Sequence, residues 1–327
     1  MEKILILPIL LSFFITLFSL PLWVKRAKKA GLTGEDMNKN YKEYIAEAGG
    51  VVVILAFVLG ILSYVAIKTF YFKTTENIIE IFVMLISLLL IAFVAFTDDI
   101  LGWKIGLNKK IRIILMFFAA LPLMVINAGE SVMMGINFGI LYPLFFIPLG
   151  IIGASTTYNF LAGYNGLEAS QGAIILSGMG IITFLTGNSW LSVICLSMVI
   201  CLIAFLFWNW TPAKVLPGDV LTYSLGGLIA IISILGNVEK IAIFFFIPYI
   251  IETGLKLRGG LKKESFAKVN SDGSLNVPYE KIYGLEHLAI KILKKMKNNQ
   301  KVREQEVVLT INLFQIVIII LGILIFI

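Results

Sequence analysis

The sequence predicts an all-α, polytopic membrane protein with about ten transmembrane helices. Of its 327 residues, 59% are hydrophobic and only 14% are charged, whereas about a quarter of the residues in a soluble globular protein are charged. The mean hydropathy is +0.94. A transmembrane helix needs roughly 20 apolar residues, and ten segments approach that length. They lie at about 4–24, 49–67, 78–97, 111–126, 141–158, 172–187, 190–208, 220–236, 241–256 and 308–327.

The distribution of basic residues predicts the orientation. Lys and Arg accumulate in loops that remain in the cytoplasm. When the loops are numbered from the N-terminus, the odd loops hold 23 of the 27 Lys and Arg residues. The even loops and the N-terminal end hold the remaining four. The first segment is followed by "KRAKK" and has no small-residue cleavage site, so we expect it to be retained rather than removed as a signal peptide. We therefore predict one membrane domain over 1–327, with cytoplasmic odd loops and both termini outside.

The unusual polar stretches all fall in odd loops. Loop 3 opens with "TDDILG", which contains Asp98 and Asp99, and loop 5 is "TYNFLAGYNGLEASQ" at 157–171. Loop 7 ends at Asp219, and loop 9 contains "RGGLKKESFAKVNSDGS" at 258–274. Ionisable residues at membrane depth are energetically costly and usually mark function. We therefore expect an active site that faces the cytoplasm.

Three carboxylates at one membrane face would repel one another unless a cation lay among them. Mg²⁺ suits such hard oxygen ligands, because it takes one or two carboxylates and completes its shell with water and substrate phosphates. Mn²⁺ is an acceptable substitute. Lys109, Lys110 and Arg112, together with the basic loop 9, would attract a polyanion. These residues predict phosphoryl transfer to or from a lipid.

Each motif also has a purely structural interpretation. Adjacent acids at a helix end can simply be solvated, Asp219 can cap a helix, and Lys109 and Lys110 can be ordinary cytoplasmic anchors. A secondary transporter is the alternative from another functional class. Transporters tend to place their ion-coupling residues near the bilayer midplane, on helices related by internal repeats. Here the acids cluster at one face and no repeat is visible, so the sequence favours an enzyme.

These motifs resemble those of the polyprenyl-phosphate N-acetylhexosamine-1-phosphate transferases, and in particular the dolichyl-phosphate branch of that family. The matching pieces are "DD" at 98 and 99, "NFLAGYNGLEASQ" at 159–171, "PGDVLTYSLGG" at 217–227 and a basic loop before the last apolar segment. They occur in the family's order over essentially the whole chain. The form "LAGxNGLEA" is the most specific, because it is typical of the dolichol branch.

The resemblance implies a Mg²⁺-dependent transfer of N-acetylglucosamine-1-phosphate from UDP-N-acetylglucosamine to a polyprenyl or dolichyl phosphate, with release of UMP. This would be the first membrane step of lipid-linked glycan assembly. Another UDP-N-acetylhexosamine or an undecaprenyl-type acceptor remains an alternative. The expected partners are these substrates and the lipid bilayer, and no nucleic acid is expected. A homodimer is also compatible with this assignment.

The resemblance also implies roles for individual residues. Asp98 would lie nearest the lipid phosphate as a candidate base, and Asp99 would support the site. Asn159 and Asp219 would hold the metal, and Lys110, preferred over Lys109, would hold phosphate oxygens. The remaining substrate-binding candidates are Asn165, Gly166, Glu168 and Arg112.

This chain departs from the family pattern at two places. Thr156 stands where the family often has an additional Asn, and a hydroxyl can still donate to a phosphate. In loop 9 the family commonly carries an Arg/His-rich motif. This chain offers mostly lysines there, which lack the bidentate fork of arginine. The candidates are Arg258, Lys262, Lys263 and Lys268.

Two further predictions concern the rest of the chain. The cytoplasmic loop 257–306 is predicted to be a substrate-binding insertion that contains an amphipathic helix at 285–296 on the membrane surface. Its apolar stripe runs from Leu285 through Ala289 to Met296, and His287 is expected to be a surface residue. Cys195 and Cys201 are expected to be apolar filler rather than a disulfide.

Overall fold

The computed structural model describes residues 3–102, 106–298 and 300–327, and most of these residues are helical. Lys104, counted above among the cytoplasmic basic residues, lies outside them. The helices are α1 (Ile6–Ala30), α2 (Gly50–Ala66), α3 (Ile78–Leu101), α4 (Lys109–Val125), α5 (Ile147–Tyr158), α6 (Leu167–Leu185), α7 (Ser189–Asn209), α8 (Gly218–Leu235), α9 (Glu239–Phe245), α10 (Ile247–Arg258), α11 (Leu285–Met296) and α12 (Glu304–Phe326).

Short elements complete the described part of the chain. Two π-helical turns, Ile67–Tyr71 and Tyr142–Phe146, extend α2 and precede α5. Three antiparallel hairpins lie in connections between helices. They are formed by β1 (Thr33–Glu35) with β2 (Tyr44–Ala46), β3 (Val132–Met133) with β4 (Ile136–Asn137), and β5 (Lys268–Val269) with β6 (Leu275–Asn276).

Each of the ten predicted apolar segments contains helix. Seven of the described helices are long and apolar enough to cross a membrane, namely α1, α2 with its π-helical extension, α3, α6, α7, α8 and α12. The other three segments are the 17-residue α4, α5 with the turn before it, and the pair α9 and α10, which meet at Phe246. The structure therefore supports a multi-span helical protein, and the ten-span layout stays a prediction.

Helix α8 is the central element of the bundle. Its residues are buried almost continuously from Val220 to Ile234, and it packs against α2, α3, α5, α6 and α9. Its most extensive contacts are with α3 and α5. Asp99 at the C-terminal end of α3 bonds to N–H groups in the first turn of α8, which brings loops 3 and 7 together.

Loop 1 packs against loop 7 and completes this end of the bundle. Gly31 caps the C-terminus of helix α1, and its left-handed φ of +75° is easily reached without a Cβ. After the β1–β2 hairpin, Leu216 N–H donates to Ala46 O at 2.8 Å, and Gly49 N–H donates to Leu216 O at 2.9 Å. These bonds tie the start of α2 to the segment that leads into α8.

Helix α11 forms at the predicted residues, but its packing differs from the prediction. It contacts α10 and α12, so Leu285 and Ala289 are buried inside the protein, whereas Met296 at the far end is exposed. The expectation that His287 is a surface residue is wrong, because His287 is 0% exposed. It lies against Tyr279, with 5.6 Å between the ring centroids, on a face of α11 that loop 9 covers.

Candidate active site

Asp99 caps helix α8 from the end of helix α3. Its two carboxylate oxygens accept the backbone N–H groups of Asp219, at 2.7 Å, and of Val220, at 3.0 Å. These are among the N–H groups that a helix start leaves without an intrahelical partner. A Cβ at Gly218 would lie 2.5 Å from an Asp99 oxygen, so this close approach requires glycine. Asp99 therefore positions Asp219. The carboxylate that caps α8 is that of Asp99, on another helix, and not that of Asp219 as the structural interpretation assumed.

Arg112 connects Asp98 with Asp219. Its guanidinium donates to Asp98 Oδ2, lies 3.4 Å from Asp219 Oδ2 and donates to Tyr223 Oη at 2.5 Å. The other Asp98 oxygen accepts the backbone N–H of Leu107. The planar fork of arginine allows one side chain to contact several acceptors at once. Arg112, rather than Lys109 or Lys110, is thus the cation in contact with the predicted carboxylates.

Asn159 joins this group from the end of helix α5. Its Oδ1 accepts the hydroxyl of Thr222 at 2.7 Å, and Thr222 lies one turn after Asp219 on α8. Thr156 lies one turn before Asn159 and is half-buried. The two residues proposed from the sequence as metal ligands therefore line the same cleft.

The cleft has a volume of about 470 Å³. It lies between loops 1, 5 and 7, and Phe266 of loop 9 reaches it. Among the described residues that line it, none is Lys or Arg. The carboxylates that line it are Glu35, Asp36, Glu47, Asp99, Glu168 and Asp219. A phosphate-bearing substrate in such a cleft needs a cation to neutralise its charge.

The motif in loop 5 forms one wall of the cleft. Glu168 Oε1 accepts the N–H of Gly163 at 2.7 Å, whereas Glu168 Oε2 is buried and accepts no hydrogen bond from the described residues. Gly166 has a φ of +85°, and a Cβ there would lie 2.5 Å from the Trp210 ring. The glycine allows the chain to turn tightly against Trp210, and Glu168 ties the turn to the start of α6 through Gly163.

Loop 1 supplies site residues that were not predicted from the sequence. Asn165 Nδ2 donates to Asp36 Oδ2 at 2.8 Å, and Asn165 N–H donates to Glu304 Oε1 at 2.9 Å. Asn38 Nδ2 donates to Gly163 O at 2.8 Å. Burial opposes the charge on Lys39, but contacts with Glu304 and Asp36 outweigh it and raise the pKa of Lys39. The only available sequence signal was the polar run "GEDMNK" in a loop that the basic residues predict to be cytoplasmic.

The remaining basic candidates lie outside the lining of the cleft. Lys109 and Lys110 are exposed at the first turn of α4. In loop 9, Lys263 Nζ lies over the Tyr279 ring at 4.7 Å. Arg258, Lys262 and Lys268 are exposed as well. The structure thus brings the predicted acids and amides together, whereas these six cations lie outside the lining of the cleft.

Comparisons with known proteins agree with this arrangement. The glycosyl transferase family 4 profile matches residues 81–237. A protein of Saccharolobus solfataricus is 37% identical over 294 residues, 88% of each chain. A protein of Sulfolobus acidocaldarius is 30% identical over 296 residues, again 88% of each chain. Both carry the provisional name UDP-N-acetylglucosamine–dolichyl-phosphate N-acetylglucosaminephosphotransferase.

A relative from another branch shares most of the chain. The phospho-N-acetylmuramoyl-pentapeptide-transferase of Streptococcus pneumoniae is 30% identical over 256 residues, which cover 74% of this chain and 76% of the relative. The family profile spans the segment that contains Asp99, Asn159 and Asp219, and the resemblance noted from the motifs is confirmed. The chain belongs to glycosyl transferase family 4 and is a multi-pass membrane enzyme, a UDP-sugar:polyprenyl-phosphate sugar-1-phosphate transferase.

Proposed function

We propose that this enzyme transfers N-acetylglucosamine-1-phosphate from UDP-N-acetylglucosamine to a dolichyl-type polyprenyl phosphate and releases UMP, as the first membrane step of lipid-linked glycan assembly. The names of two relatives, each matched over 88% of this chain, support the donor and the acceptor. The observation that carries the proposal is the acidic cleft, in which Asn159 and Asp219 lie together beside Arg112.

We propose Mg²⁺ as the resident metal, held by Asn159 and Asp219, with Mn²⁺ as a substitute. Both side chains offer hard oxygen ligands to the cleft. In the part of the chain that the structure describes, no group of three or more His, Cys, Asp or Glu residues is arranged to hold a metal. Mg²⁺ typically takes one or two protein ligands and completes its shell with water and substrate phosphates. Mg²⁺ would neutralise charge on the pyrophosphate oxygens.

The chemistry we propose is direct displacement. An oxygen of the lipid phosphate attacks the β-phosphorus of the UDP-sugar in line with the departing UMP, so the protein contributes mainly positioning and electrostatic stabilisation. A phosphate monoester has a second pKa of about 6, so most of the acceptor is already a dianion at pH 7. The contacts of the candidate base Asp98 support a further role, which is to hold Arg112 beside Asp219.

We also propose the ten-span layout, with both termini outside and the cleft at the cytoplasmic face. The excess of Lys and Arg in odd loops supports this orientation. All the loops that form the cleft are odd loops. With this orientation the polyprenyl tail remains in the bilayer while its phosphate meets a soluble nucleotide sugar.

The experiment that tests the function is a transfer assay with the purified protein, Mg²⁺, a polyprenyl phosphate and UDP-N-acetylglucosamine labelled in the sugar. We expect lipid-soluble label and an equal amount of UMP, both lost with EDTA and restored by added Mg²⁺. Asp219→Asn should abolish transfer, and Lys28→Gln, at an exposed residue near the end of α1 outside the cleft, serves as a control. If only other UDP-sugars react, the proposed donor is wrong. If undecaprenyl phosphate is the preferred acceptor, the proposed acceptor is wrong.

A further inference from the structure

A second cavity lies between helix α11 and the β5–β6 hairpin, and we call it the basic groove. Its volume is about 680 Å³. Among the described residues that line it are four lysines and no carboxylate, namely Lys268 of β5 and Lys291, Lys294 and Lys295 of α11. The active-site cleft has the opposite lining, with carboxylates and no Lys or Arg in the part of the chain that the structure describes. The basic groove is therefore suited to an anion.

The three α11 lysines of the groove carry charge that the protein leaves unneutralised. They are spaced three and four residues apart, so they share one face of the helix and repel one another. None of them forms an ion pair with a residue that the structure describes. By contrast, Lys297 contacts Glu306, and Lys301 lies 2.9 Å from Asp272. A partner from outside the chain is thus needed to balance the α11 lysines.

Both walls of the groove are fixed where helix α12 begins. Lys297, directly after α11, contacts Glu306 in the first turn of α12. On the hairpin side, Leu275 N–H donates to the carbonyl oxygen of Val302 at 2.8 Å, just before α12 starts. Helix α12 is one of the seven helices able to cross a membrane. The groove therefore lies at the level where a membrane span begins.

The exposed end of α11 adds apolar side chains to this surface. Leu285 and Ala289 at the start of the apolar stripe are covered by the protein, whereas Ile292 is 42% and Met296 is 75% exposed. Lysines beside an uncovered apolar stripe are typical of a helix that lies among lipid headgroups. A soluble anion would neutralise the lysines only. An anionic lipid would neutralise them and also cover the apolar side chains.

We propose that the basic groove binds the phosphate headgroup of an anionic phospholipid, with Ile292 and Met296 inserted between its acyl chains. Lysine clusters next to a membrane span attract such lipids. Lys268 of the groove follows Phe266, which reaches the active-site cleft, by two residues. Lipid binding would therefore also hold the part of loop 9 that borders the cleft. The inference does not depend on which donor or acceptor the enzyme uses.

The first test places a reporter at the exposed end of α11. Met296→Cys is labelled with an environment-sensitive fluorophore, since Cys195 and Cys201 are 0% exposed and should not react. The full chain is reconstituted in phosphatidylcholine bilayers with or without phosphatidylglycerol. We expect the emission to shift to shorter wavelength only with phosphatidylglycerol, and the shift to be lost at high salt. Equal emission in the two bilayers would overturn the proposal.

Two triple variants of the reporter protein then test the lysines. The groove variant combines Lys291→Gln, Lys294→Gln and Lys295→Gln. The matched control changes three exposed lysines with the same spacing near the end of α1, by Lys25→Gln, Lys28→Gln and Lys29→Gln. We expect the groove variant to need about 10-fold or more phosphatidylglycerol for the same shift, and the control to respond like the parent. An equal loss in both variants would indicate a general effect of surface charge and would overturn the proposed site.

A soluble phosphate distinguishes a lipid site from a site for a free phosphate compound. Glycerol 3-phosphate, which lacks acyl chains, is added to the reporter protein in phosphatidylcholine bilayers at matched ionic strength. We expect no shift in emission. A shift would assign the groove to a soluble phosphate compound and overturn the lipid assignment. Because these readouts do not require transfer, failure of the transfer assay would leave this inference standing, and equal emission in the two bilayers would leave the proposed function standing.

Discussion

Arg112 brings together side chains from three helices. It extends from α4 to Asp98 on α3 and to Asp219 and Tyr223 on α8. Its guanidinium carbon also lies 5.2 Å from the centre of the Tyr223 ring. Because a guanidinium remains charged and offers five donors in a plane, it can hold both carboxylates and the Tyr223 hydroxyl at once. A lysine at this position, with its single compact ammonium group, could not contact all of these partners at once.

We therefore expect Arg112→Lys to lower kcat by about 10-fold or more, since one or two charge-assisted hydrogen bonds are lost. Lys110→Gln is the matched control, because Lys110 is exposed on the same first turns of α4. The measurement is steady-state transfer with both substrates varied. If Lys110→Gln lost as much activity as Arg112→Lys, the phosphate contact implied by the family resemblance would belong to Lys110.

Sequence reasoning identified residues of the cleft better than the residues that hold them in place. Asn159, Asn165 and Glu168 were predicted from one motif, because the motif is local and specific. Asp36 and Glu304 were not predicted, because they meet Asn165 across 129 and 139 residues of chain. A single sequence carries no signal that pairs residues so far apart.

At the scale of elements, the junction of α3 and α8 orders the site. Asp99 closes the start of α8 from the end of α3. Three residues later, Gly102 with a φ of +88° caps the C-terminus of helix α3. The two adjacent aspartates therefore have different roles, because Asp99 caps the neighbouring helix while Asp98 binds Arg112.

We expect Asp99→Ala to destabilise the protein by about 1 kcal/mol, within the range known for lost helix caps, and to reduce transfer because Asp219 is no longer held. Asp99→Asn keeps a carbonyl oxygen that can accept one of the two N–H groups, so it should retain more stability. Thermal unfolding in detergent and the transfer assay measure the two effects. Equal stability of all three proteins would contradict the capping role.

Helix α11 contains a second buried group of charged residues. Glu286 and His287 are 0% exposed and lie near Glu252 and Lys256 of α10. Burial, and then the nearby Glu252, raise the pKa of Glu286 well above its ordinary value of 4.5, and Lys256 only partly opposes this. Burial, followed by Lys256, lowers the pKa of His287.

These directions predict how stability changes with pH. Because the folded protein binds the Glu286 proton more tightly than the unfolded chain, this group stabilises the fold fully below about pH 4.5. The contribution is lost as the pH rises from there through the raised pKa. Glu286→Gln cannot ionise, so we expect its thermal midpoint to fall less between about pH 5 and pH 8. Parallel curves for the two proteins would contradict the prediction.

Helix α11 shows what helical periodicity can and cannot predict. The spacing of apolar residues identified the helix and its bounds, because the period of 3.6 residues is a property of the segment itself. The burial of His287 was not predicted, because it depends on loop 9 and α10, which cover a face that the helix's own pattern marks as polar. Local pattern determines the element, and distant packing determines which of its faces are covered.

For the whole molecule, apolar length alone identifies seven described helices as candidate spans. The other three predicted spans are short or interrupted, and the interruption at Phe246 separates α9 from α10. Such breaks are tolerated within a bilayer where the backbone is packed against protein. The arrangement of charges, rather than helix length, therefore carries the prediction of which face is cytoplasmic.

That orientation can be measured with single cysteines in sealed vesicles of known sidedness. The two native cysteines, Cys195 and Cys201, are free and 0% exposed, so they should react little with a membrane-impermeant maleimide. Met134→Cys lies in the exposed β3–β4 connection and should be labelled from outside. Asp272→Cys in loop 9 should be labelled only after the membrane is opened. The reverse pattern would place the acidic cleft outside, where a cytoplasmic nucleotide sugar cannot reach it.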